Sequence, residues 1–212
     1  MLELHPLFPQ AFGYASAPEL ITSELVEAAK SMERSPNSHN EVSTENRIFA
    51  NSLLYLSSRQ AGLLDFILPK LEEYYEQALG AKVGSSLNPQ ITQSWLTYSH
   101  KGEKMHGHRH PNSLVSGVFY INAVEGVDNI IFTKDQPYQH LDWYPEPTSQ
   151  YSGTEYIVPV KSGDLLLFKS DVHHHFNEVQ HNEERISLAF NSWLHGTLGD
   201  EAGLTQLKIS VQ

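Results

Sequence analysis

Histidine is the residue type in this sequence most able to do chemistry, because it can bind a metal ion or transfer a proton near neutral pH. Six of the 12 histidines fall in two tight groups, His106, His108 and His110 and then His173, His174 and His175. In the first group the spacing of two puts alternate side chains on one side of an extended segment, so two imidazoles could reach one ion. The second group follows the apolar run 163–168, which predicts a core strand with a histidine just past its end. Neutral imidazole suits Fe, Zn, Cu and Ni, so the groups predict a metal site without selecting the metal.

A second chemical feature lies shortly after the second histidine group. Arg185 enters a run of alternating apolar residues, and Ser187 faces the same side of the predicted strand. A guanidinium in such a strand needs an anion to satisfy its donors, and the serine hydroxyl can add a hydrogen bond. The pair therefore predicts a carboxylate receptor. Taken alone, it would also fit an arginine paired with a surface carboxylate, and the first histidine group would fit ordinary surface residues.

The elements that must position these residues are predicted to be helical in the first third of the chain. Ser16 can cap a helix that carries Pro18 in its first turn, with apolar residues at helical spacing as far as Met32. A second helix is predicted to begin near Thr44.

A third helix is predicted within residues 60–79, where the apolar residues keep a helical period. Gly80 offers a left-handed stop for this helix. Pro69 is expected to kink the segment or to divide it, because proline cannot donate the helical hydrogen bond.

The residue pattern changes near Gln90. From there the chain has short runs of β-branched and aromatic residues separated by Gly, Pro, Asn and Asp, a pattern typical of antiparallel strands. The predicted strands are 91–98, 114–122, 130–132, 156–160, 164–168, 174–179, 186–193 and 207–211. Eight short strands after a helical block predict a mainly β (α+β) chain, a double-stranded β-helix or jelly roll with helices packed on one sheet. We expect a single domain over 1–212, in which a helical support region at 1–85 covers a β-helix core at 90–212.

A long loop is predicted at residues 135–153, which are rich in Pro, Tyr and Gln. Loops of this length often act as lids over a site. Trp143, Tyr144 and Tyr151 could close over a substrate, or could equally pack on the sheet.

Charge and composition exclude several classes of protein. The 14 Lys and Arg against 25 Asp and Glu give a net charge of −11, a sign that opposes the phosphate neutralisation on which nucleic-acid binding depends. The absence of cysteine excludes disulfides, zinc ribbons, iron–sulfur clusters and thiol catalysis, so any metal must use His, Asp or Glu. No stretch approaches the roughly 20 apolar residues of a membrane span. We therefore expect a cytoplasmic protein with neither a nucleic-acid nor a membrane partner.

The order of these motifs resembles that of the iron(II)/2-oxoglutarate-dependent oxygenases. Within them it is similar to a subfamily of bacteria and of phages of cyanobacteria, in which a His-x-His-Pro-x-Ser segment leads into Ser-Gly-Val-Tyr-Tyr. The matching residues are His108-Arg109-His110-Pro111-Asn112-Ser113, Ser116-Gly117-Val118-Phe119-Tyr120, Gly163-Asp164-Leu165-Leu166-Leu167-Phe168, His174 and Arg185-Ile186-Ser187-Leu188-Ala189-Phe190-Asn191. The resemblance covers residues 90–195 or so, about half of the chain.

The resemblance implies a jelly roll with one iron(II) ion, to which 2-oxoglutarate binds through its keto acid. The far carboxylate of the cosubstrate would bind Arg185, with help from Ser187. Tyr98 and Tyr120 are further candidates for 2-oxoglutarate binding, although both also fit aromatic core positions.

The implied metal ligands are His108, His174 and His110, the last at a position where most of the superfamily has Asp or Glu. A third neutral ligand leaves the site one charge more positive and raises the affinity for competing Zn or Cu. In an alternative register, His106 and His108 bind the metal and His110 orients a ligand or the substrate. The subfamily pattern favours the first register, since Pro111 follows directly. The two neighbours of His174 should point to the opposite face, because side chains alternate along an extended segment.

The function implied by the resemblance is that of a dioxygenase. It would use Fe(II), 2-oxoglutarate and O2 to hydroxylate a small molecule or a protein side chain, with succinate and CO2 as co-products. The alternative is a cupin-like module in which three histidines hold Zn or Ni without redox turnover. The carboxylate receptor favours the oxygenase, because a metal-binding module has no need of one. The apolar N-terminal helices could cover the sheet or form the contact of a homodimer.

Overall fold

The computed structural model describes residues 3, 5–7, 9–36, 45–46, 51–84, 86–134 and 153–211, with residues 45–46 described by their backbone. Three α-helices occur in these residues, α1 Ser23–Lys30, α2 Ser52–Ser57 and α3 Leu63–Leu79, and a 3-10 turn covers Pro18–Leu20. The strands are β1 Phe12–Ser16, β2 Ser35–Pro36, β3 Glu45–Asn46, β4 Leu87–Ser99, β5 Met105–His108, β6 Val115–Asn122, β7 Asn129–Thr133, β8 Glu155–Pro159, β9 Asp164–Lys169, β10 His173–Phe176, β11 Arg185–Leu198 and β12 Leu207–Ile209.

The strands form two antiparallel sheets that pack face to face. The larger sheet has the strand order β1-β9-β6-β11-β4-β3-β2, with β12 paired to the end of β11, and the smaller has the order β5-β10-β7-β8. Strands that are distant in the chain are neighbours in both sheets, as the β6–β11 and β5–β10 pairs show. This is the predicted double-stranded β-helix.

The larger sheet carries a hydrophobic core on each of its faces, because its strands alternate apolar residues to both sides. Phe119 and Leu188 point to the outer face, where they pack with the helices. Val118 and Tyr120 point to the inner face and meet Phe132 and other residues of the smaller sheet. All three helices pack on the larger sheet, as predicted, so the inner core is left for the site between the two sheets.

The first helix begins later than predicted. Thr22, not Ser16, is its N-cap, and the Thr22 side chain accepts a hydrogen bond from the backbone N–H of Leu25. Ser16 instead ends β1, which pairs with β9, and its hydroxyl donates to Asp164 at 2.7 Å. Pro18 lies in the 3-10 turn between the strand and the helix. A serine two positions before a proline can end a strand as readily as it caps a helix, and pairing with β9 decides between the two.

One further helix prediction is wrong, and the prediction for Pro69 is wrong in one of its two alternatives. Thr44 lies outside the described residues, but Glu45–Asn46 is a strand paired with β4, and the second helix begins only at Ser52. Pro69 does not divide α3, which is one helix from residue 63 to its left-handed cap at Gly80. Proline in a helix interior costs about 3 kcal/mol; the burial of the apolar face of α3 against the larger sheet offsets that cost.

Each of the eight predicted strands has a counterpart, with ends that differ by a few residues. The sequence-based prediction missed β1, β2, β3 and β5, so the region predicted to be helical also supplies strands to the larger sheet. The predicted lid, with Trp143, Tyr144 and Tyr151, falls outside the described residues. None of the helices in the described part of the chain combines the length and apolar composition needed to cross a bilayer.

Gly117 on β6 pairs with Phe190 on β11, and a Cβ atom at residue 117 would overlap the Phe190 ring. We expect Gly117→Ala to lower the free energy of unfolding by about 1–3 kcal/mol through overpacking. Urea unfolding followed by circular dichroism would measure the change. The double variant with Phe190→Leu should regain part of the loss; if the two losses simply add, the overlap is not the cause.

Candidate active site

Three imidazoles converge between the two sheets. His108 ends β5 and pairs directly with His174 on β10, while His110 lies two residues beyond β5, where its backbone N–H donates to the carbonyl of Ser170 at 3.0 Å. One ring nitrogen from each of the three histidines lies within 4.8 Å of the others. Nε2 of His108 and Nε2 of His110 are 3.2 Å apart.

The hydrogen bonds made by Nδ1 define the tautomers of His108 and His174. Nδ1 of His108 lies 2.9 Å from the carbonyl oxygen of His106, and Nδ1 of His174 lies 3.0 Å from the carbonyl oxygen of Val172. A carbonyl can only accept, so each Nδ1 carries the hydrogen and each Nε2 keeps its lone pair. The three Nε2 atoms are therefore free to bind one ion, provided that His110 adopts the same tautomer.

Burial keeps these imidazoles uncharged. It lowers the pKa of His174 to about 2 and that of His110 to about 4, and it also lowers the pKa of His108. The proximity of the rings adds to the effect, because a charge on one disfavours a charge on the next. Neutral rings with facing nitrogen lone pairs repel one another unless a cation lies between them, so the residues fit a bound metal ion.

The remaining histidines of the two groups take other places. His106 is exposed, contributes its carbonyl to His108, and is not among the converging nitrogens. His173 lies over Gly107, on the face of the smaller sheet away from His108, as alternation predicts. His175 contributes atoms to the lining of the same cavity as His174, which alternation alone did not predict.

Arg185 lies at the other end of the site and is only 3% exposed. Its Nε is 3.7 Å from Oδ1 of Asp128, and its Nη2 donates to the carbonyl of Asn129 at 3.5 Å. The guanidinium carbon lies 4.0 Å from the ring centre of Phe176 and 5.2 Å from that of Tyr120. These contacts use few of the five N–H donors, so a buried cation presents unfilled donors to the cavity.

Asp128 is held in place independently of the arginine. Its Oδ2 accepts hydrogen bonds from the Val124 backbone at 2.7 Å and from Nε2 of His181 at 2.9 Å. Both hydrogen bonds go to Oδ2, and Oδ1 faces Nε of Arg185. Among the described residues, Arg185 makes one hydrogen bond, to Asn129, besides this ion pair, so most of its five N–H donors remain for an anion.

One cavity joins the histidines to Arg185. Both groups line it together with Ser187 and Tyr120. The hydroxyl of Tyr120 is buried and has no hydrogen-bond partner within the described residues. Burial raises the pKa of Tyr120 to about 12, although the Arg185 charge opposes the rise. The hydroxyl thus remains a protonated donor beside the guanidinium. The other lining residues are largely apolar: Trp95, Thr97, Met105, Val118, Ile130, Phe176 and Ala189.

Tyr98 does not reach this cavity. It points to the outer face of the larger sheet, where its hydroxyl donates to the carbonyl of Ala29 at 2.7 Å and Arg34 stacks on its ring. Thr97, one position earlier on β4, faces the cavity instead. The prediction for Tyr98 is therefore corrected, since alternation along β4 can place only one of these two neighbours inside.

Sequence reasoning gave no role to several residues that contact the site. Asn191 and Ser116 lie beside Nδ1 of His110, and Asp128 lies beside Arg185. Asn191 follows Arg185 by an even number of positions on the same strand, a signal that could have placed it on the inner face. Asp128 carries no such signal, because a carboxylate before a strand is ordinary in any sequence.

Comparison with protein families finds a match over the strands that carry the site. The family model described as “Putative 2OG-Fe(II) oxygenase” matches residues 93–191. The match runs from β4 into β11 and includes the three converging histidines together with Arg185 and Ser187. No curated protein sequence is significantly similar to this chain.

Several solved structures share the fold at low sequence identity. The epimerase SnoN, in complex with Fe3+, alpha ketoglutarate and nogalamycin RO, is 12% identical with a TM-score of 0.58, and the alignment covers 93% of this chain and 86% of that chain. HygX from Streptomyces hygroscopicus, with nickel and 2-oxoglutarate bound, is 11% identical with a TM-score of 0.55, covering 86% and 82%. A Pseudomonas putida prolyl-4-hydroxylase is 17% identical with a TM-score of 0.53, covering 86% and 92%. At these identities the similarity concerns the fold.

Proposed function

We propose, from the match of the 2OG-Fe(II) oxygenase family model to residues 93–191, that this chain is a dioxygenase of that superfamily that hydroxylates a small molecule or a protein side chain. Its cofactor is Fe(II), and its cosubstrates are 2-oxoglutarate and O2, with succinate and CO2 as co-products. The finer assignment, to the bacterial and cyanophage subfamily, rests on the residues from His108 to Tyr120 and is part of the proposal.

One observation carries this proposal: the three imidazoles and the buried Arg185 line the same cavity. A metal-binding module needs the histidines but has no use for a buried cation with unfilled donors. An oxygenase needs both, because 2-oxoglutarate must reach the metal with one end and be anchored at the other. SnoN and HygX, which share the fold, were solved with this cosubstrate.

In the proposed mechanism His108, His110 and His174 hold the ion through Nε2. When bound, Fe(II) supplies the chemistry that couples oxidation of 2-oxoglutarate by O2 to hydroxylation of a C–H bond. The chain itself binds and orients. Arg185 binds the far carboxylate of 2-oxoglutarate, Ser187 and Tyr120 add hydroxyl donors, and the apolar lining excludes water from the reacting atoms.

His110 stands where a carboxylate ligand is usual, so the ligand set carries no negative charge. The three neutral histidines of the proposed site balance none of the charge of the ion, so the anionic cosubstrate balances it. Binding of 2-oxoglutarate should therefore depend strongly on the metal, and binding of the metal on 2-oxoglutarate, since coupling between two ligands is reciprocal.

Anaerobic addition of Fe(II) and 2-oxoglutarate tests the function. We expect the weak visible charge-transfer band of a metal–keto acid chelate, which disappears when either component is omitted. Succinate, as an analogue that lacks the keto group, serves as the control and should give no band. A wild-type protein that binds metal but gives no band with 2-oxoglutarate would instead support the cupin-like module.

Tyr120 offers a further test of the anion pocket. We expect Tyr120→Phe to weaken 2-oxoglutarate binding about 5–10-fold, because one hydrogen bond, worth about 1–1.5 kcal/mol net, is lost. Titration of the anaerobic band would measure the dissociation constant. Tyr98→Phe is the matched control, since the Tyr98 hydroxyl bonds to Ala29 on the outer face; equal effects of the two variants would argue against a role for Tyr120.

A further inference from the structure

His110 differs from the other two proposed ligands in what holds its Nδ1. His108 and His174 donate to backbone carbonyls, whereas Nδ1 of His110 contacts two side chains. Oδ1 of Asn191 and Oγ of Ser116 both lie 2.7 Å from it, and these two oxygens are 2.9 Å apart. Asn191 and Ser116 are cross-strand neighbours on β11 and β6, so the register of the larger sheet brings both oxygens to the imidazole.

A chain of serine hydroxyls continues from Ser116 away from the metal site. Oγ of Ser116 is 2.8 Å from Oγ of Ser170, which is 2.8 Å from Oγ of Ser113. Ser113 in turn donates to the carbonyl of Ser192, or to that of Val115, at 3.2 Å. Ser116 and Ser170 are at most 1% exposed, so these groups have one another as partners rather than bulk water.

The far end of this chain sets the direction of its hydrogen bonds. A carbonyl only accepts, so Ser113 donates its single hydroxyl hydrogen to it and accepts from Ser170. Ser170 then has no hydrogen left for Ser116, and Ser116 gives its own single hydrogen to Oδ1 of Asn191, at 2.9 Å, or to Ser170, at 2.8 Å. Ser116 is therefore an acceptor towards His110, as the amide oxygen of Asn191 is. Facing two acceptors, Nδ1 of His110 carries the hydrogen, and its Nε2 keeps the lone pair.

We propose that Asn191 and the serine chain that begins at Ser116 are positioning residues that hold His110 in the tautomer and orientation in which Nε2 binds the metal. This inference rests on the proposed function, for which His110 is the third ligand. It gives a role to Ser113, Ser116 and Asn191, motif residues that the binding of metal and cosubstrate leaves unused. It also predicts that His110 is the one proposed ligand whose metal binding can be weakened by replacing the side chains that contact its Nδ1. Backbone carbonyls, which a substitution does not remove, hold Nδ1 of His108 and His174.

Co(II) is a suitable probe, since its visible bands report the ligand set and chelator competition gives its affinity. Loss of the outer partner of a ligating histidine typically weakens metal binding 10–100-fold. We expect about 10-fold weaker Co(II) binding for Ser116→Ala and up to about 100-fold for Asn191→Leu. Asn191→Asp keeps an acceptor oxygen and should bind Co(II) at least as tightly as wild type. Ser52→Ala is the matched control, because Ser52 is fully buried in α2 and its hydroxyl has no hydrogen-bond partner in the described part of the chain.

The tautomer itself can be read from the 15N shifts of the His110 ring in metal-free protein. We expect the Nδ1–H form in wild type and in Asn191→Asp, and a mixture of tautomers in Asn191→Leu. A residue that only supported the fold would lower stability in thermal melts without changing these shifts. If Asn191→Leu does not fold, the Ser116→Ala and Asn191→Asp proteins still provide the comparison.

Two results would overturn the inference: unchanged Co(II) affinity in both Ser116→Ala and Asn191→Leu, or a wild-type His110 ring protonated on Nε2. Either result is compatible with a normal Fe(II)–2-oxoglutarate band, in which case the proposed function stands and the role of the serine chain fails. A wild-type protein that gives no such band contradicts the proposed function instead.

Discussion

Replacing Arg185 by alanine should raise the dissociation constant of 2-oxoglutarate about 100-fold. The guanidinium is buried, its contacts with Asp128 and Asn129 leave most of its donors unused, and it lines the cavity that contains the histidines. Loss of charge-assisted hydrogen bonds to a carboxylate in such a pocket costs about 3 kcal/mol, which corresponds to that factor. Titration of the anaerobic Fe(II) chelate band with 2-oxoglutarate measures it directly.

Two control variants distinguish the loss of 2-oxoglutarate binding by Arg185 from damage to the fold. Arg185→Lys keeps the charge but not the planar fork, so we expect an intermediate loss of about 10-fold. Arg59→Ala removes an arginine that stacks on Tyr55, outside the cavity, and should leave 2-oxoglutarate binding unchanged. Co(II) affinity measured without 2-oxoglutarate should be the same in all three variants within about twofold. An Arg185→Ala protein that binds 2-oxoglutarate as tightly as wild type contradicts the assignment of the anion pocket.

Replacing His174 by alanine should abolish metal-dependent turnover. His174 forms a triangle with the other two histidines: its ring centre lies 4.4 Å from that of His108 and 5.0 Å from that of His110, and those two are 5.1 Å apart. Its removal leaves two ligands, and loss of a direct metal–nitrogen bond should cost at least about 4 kcal/mol, or about 1,000-fold in metal affinity. Chelator competition with Co(II), followed by O2 consumption in the presence of Fe(II) and 2-oxoglutarate, gives both readouts.

His173→Ala is the neighbouring control for this prediction. His173 is next to His174 in the chain but lies over Gly107, on the opposite face of the strand. We expect its replacement to change stability slightly and to leave metal affinity within about twofold of wild type. If His173→Ala loses the metal and His174→Ala keeps it, the strand is in the other register and the site is not the one described here.

Much of the site could be predicted from sequence because its parts are local. The His-x-His spacing, the histidine after an apolar strand and the Arg-x-Ser pair each occupy a few consecutive residues. In each, alternation along an extended chain determines which side chains share a face. The structure brings His108, His110 and His174 together in one cavity with Arg185, Ser187 and Tyr120.

The alternation of side chains along a strand does not show which face of the strand points to the cavity when both faces are apolar. Tyr98 and Tyr120 looked equivalent in sequence, yet one packs against α1 and the other lines the cavity. β6 and residues 96–99 of β4 are buried on both sides, so the hydrophobic pattern alone could not assign an inner face to Tyr120 or Tyr98.

The residue types and short spacings thus determined by themselves that three imidazoles and a guanidinium would be available on strands. Only the tertiary structure decided which groups contact these imidazoles and this guanidinium. Asn191 and Ser116, which both contact His110, are 75 residues apart in the chain. Asp128 forms an ion pair with Arg185 from a distant part of the chain. The physical reason is that register between strands distant in the chain is set by how the whole sheet buries its two faces, and no local pattern carries that information.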